Sequence, residues 1–140
     1  MRPEKNMADA ANVAQRVMIV DDDLGFVWWL GEIFNDAGCR ALPALACGDA
    51  VVLAKQLGIE PDLIILNPSL RGASKMLKNY VQTNPHLKIV TIGPPLKRLG
   101  ASIQPHAILE RPSPSDLFLR RDWLEKLRKL VWQVEAVGAG

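Results

Sequence analysis

Arg16-Val17-Met18-Ile19-Val20-Asp21-Asp22-Asp23 decides the fold. Its first half is a mostly continuous apolar run of strand length without polar alternation, as a parallel strand covered on both faces requires. Its second half is three carboxylates in a row, so the strand delivers acidic side chains at its carboxyl end. Phe26, Trp29, Leu30, Ile33 and Ala37 then recur at helical spacing, with Asp23 placed to cap the first turn and Gly38 to end the last. A strand running straight into a helix opens a βα unit.

The same alternation continues along the chain. Arg40 to Leu45 reads as a weaker strand, and Gly48-Asp49 opens a helix whose Ala50, Leu53, Ala54 and Leu57 form one stripe before Gly58. Asp62 to Leu66 is the clearest central strand. A polar loop from Asn67 to Ser74 leads to a helix bearing Met76, Leu77, Tyr80 and Val81, stopped near Asn84-Pro85. Leu87 to Ile92 is a fourth strand. Between Gly93 and Pro105 helix breakers are frequent, so only Leu96 to Ala101 is expected to make one or two turns. Ala107 to Glu110 is a fifth strand, and Ser113-Pro114-Ser115-Asp116 starts a last helix reaching about Val134.

Five βα units with short connections predict an α/β fold: a flavodoxin-like, doubly wound, five-stranded parallel sheet in the order 2-1-3-4-5, with an irregular fourth helical region. At 140 residues and 49% hydrophobic, the chain supports one core. The expected organisation is a flexible N-terminal arm over 1–15, the domain over 16–136, and a short tail over 137–140. With 15 acidic and 17 basic residues, charge gives no ground for a nucleic-acid partner. Cys39 and Cys47 lack zinc-type spacing and read as reduced, buried thiols. No apolar run approaches the roughly 20 residues that span a bilayer, and the N-terminus lacks a secretory core, so a cytoplasmic protein without membrane contact is expected.

In this fold ligands bind where the carboxyl ends of the first and third strands diverge, which singles out Asp21, Asp22 and Asn67. Val20-Asp21-Asp22-Asp23, Thr91 at the end of the fourth strand and Arg111-Pro112 after the fifth together resemble the receiver domain of bacterial response regulators, over about Arg16 to Val134. The resemblance implies that Asp21 and Asp22 match an acidic pair that holds magnesium, and that Thr91 matches a hydroxyl contacting the phosphoryl group. It also implies that Pro112 matches the proline that follows the family's lysine after the fifth strand. Asn67 stands where the family's phosphoryl-accepting aspartate would be, and Arg111 stands in the lysine position.

Those departures fall on the chemistry. An acyl phosphate forms by attack of a carboxylate oxygen, and a neutral amide is a poor nucleophile, so Asn67 ends ordinary phosphotransfer. An amide also removes one anionic ligand, leaving Asp21 and Asp22 as weak magnesium candidates and no other cofactor expected. Arg111, planar and always charged, is expected to reach the acidic pair and neutralise it. The segment from Asn67 to Thr91 is several residues shorter than is usual in the family, trimming the loop before the third helix. Ile108 occupies the position of the family's aromatic switch residue.

Two surfaces invite partners. Helical phase sets Trp29 with the core and turns Val27, Trp28 and Gly31 outward, making an apolar face; a neighbouring loop or the N-terminal arm covering Trp28 is the competing reading. The last helix is apolar beyond one core stripe and adds Trp123 and Trp132, so a homodimer through it is expected. Its interleaved charges favour a solvated face over a DNA-binding one. The expectation is a stand-alone pseudo-receiver that is not an enzyme. It would bind a protein partner, a histidine kinase or another regulator, independently of phosphorylation. Two other readings stand beside it: non-covalent binding of magnesium or a phosphate-containing ligand at Asp21 and Asp22, and a small enzyme using that acidic pair.

Overall fold

Val17 to Val20 and Leu63 to Leu66 contain no polar residue, and in the computed structural model all eight are at most 1% exposed. The structure describes residues 15–93, 103, 105–110 and 125. Within them the order is β1 (Arg16–Val20), α1 (Leu24–Asp36), β2 (Arg40–Ala44), α2 (Cys47–Leu57), β3 (Leu63–Leu66), α3 (Ala73–Thr83), β4 (Lys88–Ile92) and β5 (Ala107–Leu109). Neighbouring strands are parallel and lie in the order β2-β1-β3-β4-β5, the order expected for a flavodoxin-like sheet.

Because side chains alternate along a strand, each central strand feeds two apolar layers. Val17, Ile19, Leu63, Ile65, Val90 and Ile92 face α1 through Phe26, Leu30, Ile33 and Phe34. Met18, Val20, Ile64, Leu66 and Ile89 face the other way, onto Ala50 and Ala54 of α2 and Met76 and Leu77 of α3. At the amino end of the sheet, Arg16 and Asp62 tie β1 to the entry of β3. The Arg16 guanidinium reaches both Asp62 carboxylate oxygens at 3.2 Å, and its backbone N–H donates to Oδ2 at 2.9 Å. The hydrogen bonds that the guanidinium donates to Asp62 lead the effects that raise the Arg16 pKa.

Helix boundaries follow the local signals. The Asp23 carboxylate accepts the Phe26 N–H at 3.1 Å as the N-cap of α1. Gly38 (φ +87°) and Gly58 (φ +63°) take the left-handed conformation that ends α1 and α2, letting Cys39 N–H reach Phe34 O and Ile59 N–H reach Ala54 O. Two starts differ from the sequence reading. Helix α2 begins at Cys47, whose side chain is buried, and its N-cap Ala46 makes no side-chain cap. Helix α3 begins at Ala73, so Ala73 and Ser74, the last two residues of the stretch read as loop, are helical.

The outward face assigned to α1 needs correction. Val27 is 2% exposed and Gly31 is also buried, whereas Trp28 is 65% exposed. Helix α1 packs against β2 as well as β1, so its buried stripe is wider than one narrow row. A Cβ on Gly31 would lie 3.9 Å from the Ala41 side chain, an ordinary packing distance, which places the edge strand against this face of the helix. Trp29 is half-buried and packs on the core with its ring 6.2 Å from Phe26. Cys39 and Cys47 are buried thiols outside any disulfide. Arg111, Pro112, Trp123 and Trp132 lie outside the described residues. So do the expected turns over Leu96 to Ala101, most of the last helix, the tail, and the N-terminal arm apart from Gln15.

Candidate functional site

Adjacent parallel strands β1 and β3 deliver Asp21 and Asn67 side by side at the sheet's carboxyl end, where Asn67 N–H donates to Val20 O at 3.0 Å. Asp21 is 0% exposed. Its backbone N–H donates to Ala44 O of β2 at 3.2 Å, fixing the residue between two neighbouring strands. Its Oδ1 accepts the Asn67 side-chain amide at 3.3 Å and the Asp23 backbone N–H at 3.4 Å. A buried carboxylate needs donors, and here a neutral amide is one of them.

The orientation of Asn67 follows from what its oxygen does. Asn67 Oδ1 accepts the Ser69 backbone N–H at 2.9 Å and the Ser69 hydroxyl at 2.7 Å. A backbone N–H can only donate, so the atom facing Ser69 is the oxygen and the NH2 group faces Asp21. The bond to Ser69 closes an Asx turn, for which Asn followed two residues later by Ser is the sequence signal. Pro68 follows Asn67 directly, is buried, and restricts the Asn67 backbone to extended conformations. Six residues, from Asn67 to Gly72, suffice to link β3 to α3.

Thr91 ends the row. Its partner across the β3–β4 ladder is Leu66, the residue before Asn67. Thr91 is 0% exposed, and its hydroxyl donates to the Gly93 carbonyl at 3.1 Å. Asp22, by contrast, is exposed. The structure thus joins Asp21 and Asn67 directly, sets Thr91 one strand further along, and leaves the Asp22 side chain in solvent. Ser69 and Gly93 are the participants that sequence reading missed.

Magnesium takes oxygen ligands in a near-octahedral shell. Asn67 offers it none here, since its oxygen is committed to Ser69 and its N–H group points at the carboxylate a cation would neutralise. The Asp21–Asn67 pair as arranged does not fit the ion. Among the described residues there is no group of three or more His, Cys, Asp or Glu side chains able to hold a metal.

No protein-family model and no curated protein matches the sequence. Solved structures do match the fold. A CheY-like response-regulator receiver domain protein from Methanospirillum hungatei superposes with a TM-score of 0.64 at 23% identity, covering 88% of this chain and 98% of that one. The chemotaxis response regulator CheY4 of Vibrio cholerae gives 0.61 at 19% identity, over 85% of this chain and all (100%) of that one. The N-terminal domain of a response regulator/sensory box/GGDEF three-domain protein from Carboxydothermus hydrogenoformans gives 0.56 at 20%, over 82% and 97%. The chain therefore has the fold of CheY-like response-regulator receiver domains. Among the described residues no helix is long and apolar enough to cross a membrane.

Proposed function

We propose that this chain is a pseudo-receiver, a cytoplasmic binding module of a two-component-type pathway. It regulates a partner protein, a histidine kinase or another regulator, by occupancy and not by phosphoryl turnover. The observation that carries this reading is the Asn67 amide, which lies in the acceptor position and is hydrogen-bonded to Asp21 at 3.3 Å. It supplies no nucleophilic carboxylate, and it occupies the carboxylate that would otherwise attract a cation.

The partner surface is centred on Trp28. Trp28 and Leu24 are 65% and 63% exposed on α1. One shallow groove runs between α1 and β2, lined by Val27, Trp28, Gly31 and Pro43; another lies on the α2 side of β2, lined by Pro43, Leu45 and Val52. Pro43 belongs to both. Arg40 N–H donates to Gln15 O and Ala44 O accepts from Asp21 N–H, the residues on either side of β1, so the alternate residue Pro43 meets the open edge, where it has no N–H to offer a further strand. A partner here engages side chains and not the sheet edge. The homodimer assigned to the last helix, with Trp123 and Trp132, is a separate part of the proposal.

The test is to incubate the protein with acetyl phosphate, or with beryllofluoride and Mg²⁺, and to compare mass and Trp fluorescence with Asn67→Asp. No response in the native chain is expected. A mass gain of one phosphoryl group on it would overturn the reading. Capture of a candidate kinase should be lost on Trp28→Ala.

A further inference from the structure

At the opposite end of the sheet from Asp21, α2 and α3 splay apart over the turn that enters β3. They enclose a cleft of about 420 Å³, within the size range of small-molecule sites. Its floor is apolar: Ala54, Ile59 and Met76 are 3%, 8% and 4% exposed. Its rim carries Lys55 from α2, Glu60 from the turn, and Asn79 and Tyr80 from α3. Thr83 also lines it, but its hydroxyl is committed to the Tyr80 carbonyl of its own helix at 3.1 Å.

Among the described residues the rim charges are not used up. The ion pair among the described residues is Arg16 with Asp62, and Lys55 and Glu60 share the rim without forming one. Glu60 also acts at longer range on Arg16, which Asp62 already holds. Burial, and secondarily the Glu60 charge, push the Tyr80 phenol above its ordinary pKa, so Tyr80 stays a neutral donor at the cleft. An apolar floor thus meets one cation, one anion, a phenol and an amide.

That combination selects a ligand class. An apolar molecule without charge would strip water from the rim and return no hydrogen bonds. A simple anion would meet Lys55 but face Glu60, and a simple cation would meet Glu60 but face Lys55. A molecule with both charges and an apolar body satisfies all of them. We propose that the cleft between α2 and α3 binds a zwitterionic small molecule of the branched or aromatic α-amino-acid class. Its carboxylate lies toward Lys55, its ammonium toward Glu60, and its side chain on Ala54, Ile59 and Met76. The proposal is independent of the pseudo-receiver reading, since the cleft lies at the other end of the sheet.

The test titrates the full chain with L-leucine and L-phenylalanine, and with N-acetyl-L-phenylalanine and L-phenylalaninamide as probes lacking one charge each. Thermal shift and amide chemical-shift perturbation are the readouts. The free amino acids should raise the melting temperature and perturb Val51, Ala54, Ile59, Met76 and Tyr80, with each single-charge probe binding about tenfold more weakly. Lys55→Gln and Glu60→Gln, at exposed positions, should each remove the discrimination for one charge. Absence of a shift at millimolar amino acid, equal binding of all the probes, or perturbations away from the cleft would overturn the proposal.

Discussion

The side-chain amide of Asn67 donates to the buried carboxylate of Asp21 across the carboxyl ends of β3 and β1, while its oxygen holds the Ser69 turn. One residue thus closes two connections. Asn67→Ala removes a donor from a fully buried carboxyl acceptor and the acceptor of a backbone N–H. A loss of about 2 kcal/mol is expected from these two bonds. Urea titration measures it; an unchanged midpoint would mean that the amide contributes nothing to the site.

Asn67→Asp sets a second carboxylate against Asp21. Like charges at this range favour one retained proton, so the folded-state pKa of the pair rises above the unfolded value. Stability is then highest below the unfolded carboxylate range and falls as pH rises through the folded value. The variant should therefore be more destabilised at pH 7 than at pH 4.5, and Mg²⁺ should restore stability at pH 7. The native chain should respond to neither change in this way.

Trp28 and Trp29 are neighbours with opposite roles. Trp28→Ala should leave the denaturation midpoint within about 0.5 kcal/mol of native, as expected for an exposed position, while abolishing partner capture. Trp29→Ala should cost about 2 kcal/mol through lost packing on Phe26 and the α1 layer, with the effect read in stability first. A reversed pattern would move the interface off this helix.

Burial raises the pKa of Cys47, and burial together with Glu60 raises that of Tyr80. The folded chain therefore holds these protons more tightly than the unfolded chain. The sign follows directly: stability is unaffected below about pH 7.5, where both groups are protonated in either state, and declines above it as the unfolded chain ionises first. Thermal melts between pH 7 and 10.5 should show the decline, and Cys47→Ala should remove its earlier part.

The His106 imidazole extends the β4–β5 ladder. Its Nδ1 accepts the Ile89 N–H at 3.1 Å while its own backbone N–H donates to Ile89 O at 2.7 Å. His106→Ala should cost about 1 kcal/mol and speed hydrogen exchange at Ile89 more than at Ile64, which lies in a central strand.

The strands were legible in the sequence because Val17 to Val20 and Leu63 to Leu66 are covered on both faces and so carry unbroken apolar runs. The outward face of α1 was not, because helical phase locates a stripe without setting its width. Gly31 belongs to the buried side where β2 lies against the helix at Ala41, and Val27 joins the core layer under α1. That Asp21 and Asn67 stand at neighbouring strand ends was expected from strand positions, but the hydrogen bond between them was not, and the direction of the amide depended on Ser69, two residues on. The cleft between α2 and α3 had no signature, since its lining comes from two helices and a turn whose juxtaposition arises only on folding.

Pro68 gives the Asn67 site a long lifetime. Asparagines age to aspartate chiefly when the next backbone nitrogen attacks the side-chain carbonyl, expels ammonia and closes a succinimide ring. The Pro68 nitrogen carries no hydrogen and cannot take that role. A spontaneous drift from amide to carboxylate would set an acidic group beside the buried Asp21 in a fraction of aged molecules. With proline next in the chain, that route is shut, and old molecules carry the same neutral amide as new ones.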